Sequence, residues 1–167
     1  SAGVLNWPLI SGDVVRPGIA IYGSSPGPHA AGHYGLRPAM ALDTQVIALQ
    51  EVPTGAKVGY GSRWTAPRPS LIAIIACGYA DGYPRHAPDG TPVSVGGQRA
   101  PLAGRVSMDM MTVDVTQLKD VTVGSRVELW GDEIPVDEVA QYAGTIGYEL
   151  LCAVTPRVPF HIQPLAV

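Results

Sequence analysis

Charged side chains are scarce in this sequence. They make up 15% of its 167 residues, whereas about 25% is usual in soluble domains. We therefore expect part of the surface to face another domain or subunit. The formal net charge is −3, and no cluster of Lys and Arg appears. Because phosphate binding needs concentrated positive charge, nucleic acid is not expected as a partner.

Long apolar runs are also missing. The longest, Leu71 to Cys77, is far too short to span a bilayer, so we expect no membrane insertion. No signal peptide is visible, but the chain starts at Ser1 without a Met, and we expect residues to precede it in the complete protein.

Cysteine is rare, with Cys77 and Cys152 as the two examples. Two cysteines give no disulfide framework. We predict two buried thiols in a protein of the reducing cytoplasm.

Glycine and proline are abundant, with 20 Gly and 16 Pro. This abundance predicts many turns and so favours β structure over a helical bundle. The length suits one domain, or a small domain plus a piece of another. Val14 to Gly23 predicts a short strand that ends in a glycine-rich turn. The stretch from Ser24 to Gly35, rich in Ser, Pro, Gly, His and Ala, predicts a linker or an irregular domain boundary.

From Leu36 onward the sequence predicts β strands and then helices. Apolar and polar residues alternate from Met40 to Val52, as in a half-buried strand, and the apolar run from Leu71 predicts a strand buried on both faces. Asp89-Gly90 and Gly96-Gly97 predict turns. The remaining predicted strand segments are Thr91 to Val95, Pro101 to Val115, and Arg126 to Trp130.

Two short helices are predicted near the end of the chain. Pro135 suits a first helical turn, residues 136–142 follow it, and Gly144 ends the helix. Ile146 to Val154 predicts a second helix. The predicted fold class is mainly β, with a β-barrel-like domain and two short late helices.

Metal and serine-hydrolase chemistry have no support. The four histidines, His29, His33, His86 and His161, lack metal-ligand spacing, and no nucleophile-elbow motif is present. We therefore predict no metal site.

Tyrosines and arginines instead recur in glycine-rich segments. Taken singly, each suits an ordinary turn, where a tyrosine packs its ring or an arginine is solvated. Taken together and in order, they resemble the alanine racemase family over essentially the whole chain. The segments are Arg16 to Ile19, Val58 to Gly61, Cys77 to Arg85, Gly104 to Met110 and Ile146 to Glu149.

The resemblance implies a two-part enzyme that uses pyridoxal 5'-phosphate. In that family an N-terminal eight-stranded α/β barrel holds the cofactor on a lysine. A C-terminal, mainly β domain packs on the barrel of the other subunit in a head-to-tail homodimer. By resemblance, residues 1–35 are the C-terminal end of the barrel, including its last strand region, and residues 36–167 are the β domain. The cofactor lysine is expected upstream of Ser1.

The resemblance also assigns residues to the cofactor. Gly18 and Ile19 match backbone donors to the phosphate, Ser1 matches a phosphate-binding serine, and Tyr148 matches a tyrosine whose hydroxyl reaches the phosphate. Arg16 matches an arginine directed at the pyridine nitrogen. Because arginine does not give up its proton, that nitrogen stays unprotonated and the ring is a weaker electron sink. A weak sink disfavours transamination and suits a racemase.

Catalysis and substrate access are assigned in the same way. Tyr60 matches the tyrosine that, with the lysine on the opposite face, completes a two-base mechanism, and Met108 matches a residue whose backbone N–H binds the substrate carboxylate. Tyr79 and Tyr148 match a pair that narrows the active-site entrance. The next layer of that entrance gate is matched by Arg85, Arg105 and Ile146.

The implied function is an isomerase that interconverts L- and D-alanine and supplies D-alanine for the peptidoglycan of the cell wall. A racemase of broader specificity, acting on serine or other small amino acids, is an open alternative. A decarboxylase of the same architecture is disfavoured by Arg16, because those enzymes place a carboxylate at the pyridine nitrogen. The chain alone, without the lysine, is expected to be inactive: an inert β domain or a product of proteolysis.

Overall fold

The fold is mainly β, as predicted. The computed structural model describes residues 1–7, 9 and 12–162. The strands are β1 (Leu42–Val52), β2 (Lys57–Val58), β3 (Trp64–Thr65), β4 (Ser70–Ile75), β5 (Pro92–Val95), β6 (Gln98–Pro101), β7 (Met111–Asp114) and β8 (Arg126–Trp130). The α-helices are α1 (Ala2–Asn6), α2 (Val136–Ala143) and α3 (Gly147–Ala153). Single 3-10 turns form at Ile19–Tyr22, Ala31–Tyr34, Tyr60–Ser62 and Tyr79–Asp81.

Six strands form one antiparallel sheet in the order β6-β5-β8-β1-β4-β7. Leu102, directly after β6, bridges to Val113 of β7. This bridge brings the two edges of the sheet together and nearly closes it. The predicted barrel-like character is therefore confirmed, and near-closure leaves little unpaired strand edge.

Strand β1 holds the two halves of the sheet together. Its first residues, from Leu42 to Gln45, pair with β8, and its later ones, from Val46 to Val52, pair with β4. Register shifts occur in both ladders. Such irregularities increase the local twist of a strand, which lets one long strand turn the corner of a barrel.

The core lies inside this curved sheet and under the helices. Strand β4 is apolar after its first residue, Ser70, with Ile72, Ala73 and Ile75 buried and Leu71 and Ile74 half-buried. The buried face of α2 packs against the sheet through Val136, Val139 and Ala140. The central core residues from the strands include Val93, Val95, Val113, Val127, Leu129 and Trp130.

The turns and helices follow the predicted signals. Gly96 and Gly97 both have positive φ angles, 56° and 79°, and join β5 to β6 as a tight hairpin turn that favours glycine at both positions. Helix α2 follows Pro135 and ends at Gly144, whose φ of 70° is left-handed. Both helices are therefore confirmed, and α3 begins within one residue of the predicted start.

Three predictions are wrong or incomplete. Residues 14–18 form no strand, and Ile19–Tyr22 is a 3-10 turn. A strand needs backbone partners, whereas Pro17 has no N–H and the Gly18 N–H donates to the Arg16 carbonyl. Beyond Pro101, only residues 111–114 of the predicted stretch belong to a strand, and residues 103–110 form a loop. The β2–β3 hairpin was not predicted, because each of its strands has two residues.

The prediction of two buried thiols holds for one cysteine only. Cys77 is buried and Cys152 is exposed. Helix α3 buries Gly147 and Leu150, and Cys152 lies two positions after Leu150, which directs it away from that face. Burial, with Asp81 nearby, raises the pKa of the Cys77 thiol to about 12.

One carboxylate lies deep in the structure. Glu128 on β8 is 2% exposed. Its Oε1 atom accepts the backbone N–H groups of Glu133 at 2.7 Å and Ile134 at 2.9 Å, and Oε2 accepts from the Arg126 guanidinium at 3.3 Å. Glu128 therefore fixes the loop that leads from β8 into α2.

No helix in residues 1–7, 9 and 12–162 combines the length and the apolar character needed to cross a bilayer.

Replacing Glu128 with Ala should destabilise the protein by about 2–4 kcal/mol, since the buried N–H of Ile134 and the part-buried N–H of Glu133 lose their acceptor and Arg126 loses a partner. Urea unfolding followed by circular dichroism measures this. The exposed Glu51 of β1 is the control, and Glu51→Ala should cost within about 0.5 kcal/mol. Equal losses in the two variants would contradict the structural role of Glu128.

The two cysteines should differ in reactivity. With a pKa of about 12, roughly one Cys77 thiol in ten thousand is ionised at pH 8, and the thiolate is the reactive form. Iodoacetamide at that pH, followed by peptide mass mapping, should label Cys152 in the folded protein and Cys77 only after denaturation. Labelling of both peptides at similar rates in the folded state contradicts this.

Candidate functional site

The first group of predicted site residues meets around the Ser1 hydroxyl. This hydroxyl donates to the Pro17 carbonyl at 3.1 Å and accepts the Ala20 N–H at 3.0 Å. A Cβ atom on Gly18 would lie 3.7 Å from Ser1 Oγ, so glycine leaves space beside the hydroxyl. Ile19 opens a 3-10 turn, where a backbone N–H has no partner inside the helix. The group thus forms a small cradle of polar atoms, in which the Ser1 hydroxyl and the Gly18 N–H donate to neighbouring carbonyls and the Ile19 N–H has no partner inside the turn.

Arg16 immediately precedes this cradle. Its side chain is exposed, and among the described residues no carboxylate forms an ion pair with it. The Arg16 carbonyl accepts the Gly18 N–H at 3.2 Å, which folds the backbone tightly at this point. The guanidinium is therefore free of internal acid partners on the same segment as the cradle.

Tyr148 and Ile146 lie at the start of α3, which is fastened to the chain leaving the cradle. Gly147 packs against Ser24, whose hydroxyl hydrogen-bonds to Asp137 of α2. A Cβ atom on Gly147 would lie 2.7 Å from Asp137 Oδ1, so a larger residue would displace the side chains of Ser24 and Asp137. Tyr148 and Ile146 both remain exposed, and they are held beside the segment that carries the first group.

Tyr60 stands at the tip of the β2–β3 hairpin, and its side chain is 72% exposed. The hairpin rests on the loop that carries Arg105. A Cβ atom on Gly59, whose φ is 76°, would lie 3.0 Å from the Arg105 backbone nitrogen. Gly59 is needed both for its left-handed backbone and for this approach. The contact brings Tyr60 and Arg105 together.

Tyr79 and Met108 are joined through backbone hydrogen bonds. The Tyr79 N–H donates to the Ser107 carbonyl at 3.0 Å, and the Ala80 N–H donates to the Met108 carbonyl at 3.0 Å. A Cβ atom on Gly78 would collide with both carbonyls. The exposed Met108 therefore has its backbone position set by the turn that carries Tyr79.

Arg85 completes this second group. Its guanidinium lies over the Tyr79 ring, 5.9 Å from the ring centre, in the range of a cation–π contact. The structure thus places Tyr60, Tyr79, Arg85, Arg105 and Met108 on neighbouring loops at one end of the barrel.

Helix α3 connects the two groups. Its first turn carries Tyr148 beside the cradle segment, and its last residue, Ala153, packs on Gly82 of the turn that carries Tyr79. Seven residues of α-helix span about 10 Å. None of the hydrogen bonds or ion pairs between described residues joins Tyr60 to the cradle, so the chain presents these two parts separately.

Sequence reasoning treated Tyr83 as one more member of the tyrosine-rich segment. In the structure Tyr83 stacks on Trp130, with ring centres 5.8 Å apart, and both are buried. Burial raises the pKa of the Tyr83 hydroxyl. Tyr83 therefore anchors the loop between Tyr79 and Arg85 to the core. Only its burial distinguishes it from Tyr79, and a single sequence does not reveal that.

Neither of the chain's two lysines, Lys57 and Lys119, stands on a segment that carries the predicted cofactor residues. Among the described residues, no group of three His, Cys, Asp or Glu side chains is placed to hold a metal ion.

The comparisons with known proteins agree with the sequence resemblance. The family model described as "Alanine racemase, C-terminal domain" matches residues 39–162. The biosynthetic alanine racemase of Pseudomonas aeruginosa is 58% identical over 160 residues, which cover 95% of this chain and 45% of that protein. A crystal structure of biosynthetic alanine racemase from the same species superposes with a TM-score of 0.92 at 57% identity, over 95% of this chain and 45% of the other.

A more distant relative has the same fold. The alanine racemase structure from Acinetobacter baumannii, at 45% identity, matches 94% of this chain and 44% of the other with a TM-score of 0.90. The chain thus spans less than half the length of the relatives it matches. Family model, sequence identity and fold agree, and the chain belongs to the alanine racemase family, with the family's C-terminal domain at residues 39–162.

Proposed function

We propose that the complete protein containing this chain is an isomerase that interconverts L-alanine and D-alanine with pyridoxal 5'-phosphate. One observation carries the proposal: the chain is 58% identical over 160 residues to a biosynthetic alanine racemase. The cradle at Ser1 and the exposed Tyr60 are matched to the family's cofactor and catalytic residues by sequence resemblance. That relative is named biosynthetic, and we propose that the complete protein likewise supplies D-alanine, for peptidoglycan and in the cytoplasm.

The residues of the cradle suit a phosphate group. The Ser1 hydroxyl and the Gly18 and Ile19 backbone would hold it from one side, and the Tyr148 hydroxyl from the start of α3. The Ser1 hydroxyl donates to the Pro17 carbonyl at 3.1 Å in this structure and would turn its hydrogen to the phosphate, with the missing side chain at Gly18 leaving room beside it. Amide donors around a phosphate need no cationic side chain, because oriented N–H groups supply the positive field.

Arg16 would tune the cofactor ring. When bound, the cofactor takes up negative charge from the α-carbon of an amino acid and so acidifies its hydrogen. The Arg16 guanidinium would donate to the ring nitrogen and keep it unprotonated, since arginine does not release its proton. Among residues 1–7, 9 and 12–162 no carboxylate pairs with Arg16, which leaves its donors available for this contact. A moderate electron sink favours return of the proton to the substrate and disfavours a decarboxylase.

Tyr60 would act as acid and base on one face of the substrate. Racemisation needs proton transfer on both faces, and a family lysine upstream of this chain would serve the other. The Tyr60 ring projects from a hairpin tip with 72% of its surface exposed. An exposed ring with no hydrogen bond to the cradle among the described residues is suited to a site on another barrel. We propose that it reaches the partner subunit in a head-to-tail homodimer.

The loops near Tyr60 would bind and admit the substrate. The Met108 N–H would take the alanine carboxylate, and the carbonyl of the same peptide, that of Ser107, is held by the Tyr79 N–H at 3.0 Å. Tyr79 and Tyr148 would narrow the entrance, and Arg85, Arg105 and Ile146 would line its outer layer. Two arginines at an entrance attract a carboxylate from solution. In this arrangement residues 1–35 belong to the end of the barrel and residues 36–167 to the β domain.

Tyr60→Phe in the complete enzyme should impair proton transfer on one face of the substrate and leave the other face largely unaffected. Exchange of the α-hydrogen of L-alanine with D₂O should fall by about 10²–10⁴-fold, the usual contribution of a general base, while exchange from D-alanine falls far less. Each enantiomer is followed by NMR. Tyr142→Phe on α2, with a side chain 46% exposed, is the matched control and should exchange both enantiomers normally. Equal, mild losses for the two enantiomers would show that Tyr60 is not the second base.

The isolated 167-residue chain should neither racemise alanine nor bind pyridoxal phosphate covalently, because neither of its lysines lies beside the cradle. A chiral amino-acid assay, and mass spectrometry after borohydride reduction, test the two expectations. Turnover by the purified chain, free of host racemase, is the result that would contradict them.

A further inference from the structure

Arg157 links two loops of the candidate site. Its Nε atom lies 3.0 Å from Asp81 Oδ1, and its Nη2 atom lies 2.8 Å from Asp109 Oδ1. Asp81 ends the 3-10 turn that begins with Tyr79, and Asp109 directly follows Met108. One guanidinium therefore spans the turn that carries a gate tyrosine and the loop that carries the proposed carboxylate-binding amide.

The Asp81 carboxylate contacts both Arg157 and the backbone of the Tyr79 turn. Its Oδ1 atom faces Arg157, while Oδ2 accepts the Gly78 N–H at 2.8 Å. The same carboxylate thus closes the turn around Tyr79 and receives the guanidinium. A displacement of the Arg157 side chain would therefore move the Asp81 carboxylate and, with it, the turn that carries Tyr79.

The neighbouring backbone holds Arg157 in place. The Thr155 N–H donates to the Asp81 carbonyl at 3.1 Å, and the Thr155 hydroxyl donates to the Ala80 carbonyl at 2.8 Å. The segment after α3 is therefore attached to the Tyr79 turn two residues before Arg157. Ala80 in turn donates to Met108, so the three segments form one connected set.

We propose that Arg157 is a positioning residue for alanine racemisation: its paired contacts with Asp81 and Asp109 set the Met108 amide and the Tyr79 gate for the substrate carboxylate. The inference rests on the proposed function. Arg157 touches neither substrate nor cofactor in it. Arg157 would act by setting the positions of the Met108 amide and Tyr79. A displacement of such substrate-positioning groups by about 1 Å is enough to lower activity strongly.

The effect should appear in substrate binding more than in stability. The Arg157 side chain is 49% exposed, and ion pairs at that exposure contribute little to global stability. Lysine in its place has a single ammonium and lacks the flat, forked donor set that reaches two carboxylates at once. The Arg157→Lys enzyme should therefore keep only part of the substrate affinity of the wild type.

The test uses the complete enzyme with L- and D-alanine as substrates. Arg157→Gln should raise KM in both directions by about five- to tenfold, with kcat changed by less than about threefold, because ground-state positioning is lost. Arg157→Lys should fall between Gln and wild type. The matched control is Arg99→Gln: Arg99 is 52% exposed and pairs with Glu138 outside the candidate site, and its loss should leave KM unchanged. Both Gln variants should lower Tm by a similar few degrees.

Three results overturn the role of Arg157: an unchanged KM in Arg157→Gln, an equal KM rise in Arg99→Gln, or a fall in kcat and Tm without a rise in KM. If Arg157→Gln does not fold, Asp109→Asn replaces it, since it weakens one arm and leaves Asp81 intact. A wild-type KM in that variant also overturns the proposal. A complete wild-type enzyme that does not racemise alanine removes the proposed function itself, whereas an active one with insensitive variants removes only the role of Arg157.

Discussion

The candidate site depends on one backbone contact, between the turn at Gly78 and the loop at Ser107 and Met108. The two N–H groups of Tyr79 and Ala80 donate to the two carbonyls of that loop, and no side chain on Gly78 would fit between them. These bonds fix a turn and a loop that are not part of the main sheet. Side chains at the site can then remain exposed, because their backbone is already fixed.

The fold supports this contact from both sides. Strand β4 ends just before the Gly78 turn and β7 begins just after the Met108 loop, and the two strands pair directly. Below them, Tyr83 fills the core against Trp130. The near-closed sheet therefore places the Gly78 turn and the Met108 loop side by side at one end of the barrel. The packing of Tyr83 in the core holds the turn against the sheet. Function is located in loops, and rigidity in the strands beneath them.

Much of the fold could be predicted because strong local signals agree with the tertiary structure. The apolar run at Leu71, the Gly96-Gly97 turn and the Pro135-to-Gly144 helix each have an explanation within a few residues. The strand predicted from Val14 failed because apolar β-branched residues do not make a strand without a pairing partner. Cys152 and Arg157 were misjudged or missed for a related reason: exposure and ion pairing depend on residues distant in sequence. The predicted roles of Tyr60 and Arg16 come from resemblance, and the structure adds where they stand.

The exposed surface around the candidate site is rich in apolar and aromatic side chains. Tyr60, Met108, Ile146 and Tyr148 are all exposed in a chain with 15% charged residues. Apolar and aromatic side chains grouped around functional loops are typical of surfaces that meet another protein. A tyrosine on a hairpin tip lowers its exposure when a second surface covers it, and the cradle at Ser1 can face such a surface. The exposed side chains around the candidate site thus have the composition of a surface that a second protein covers.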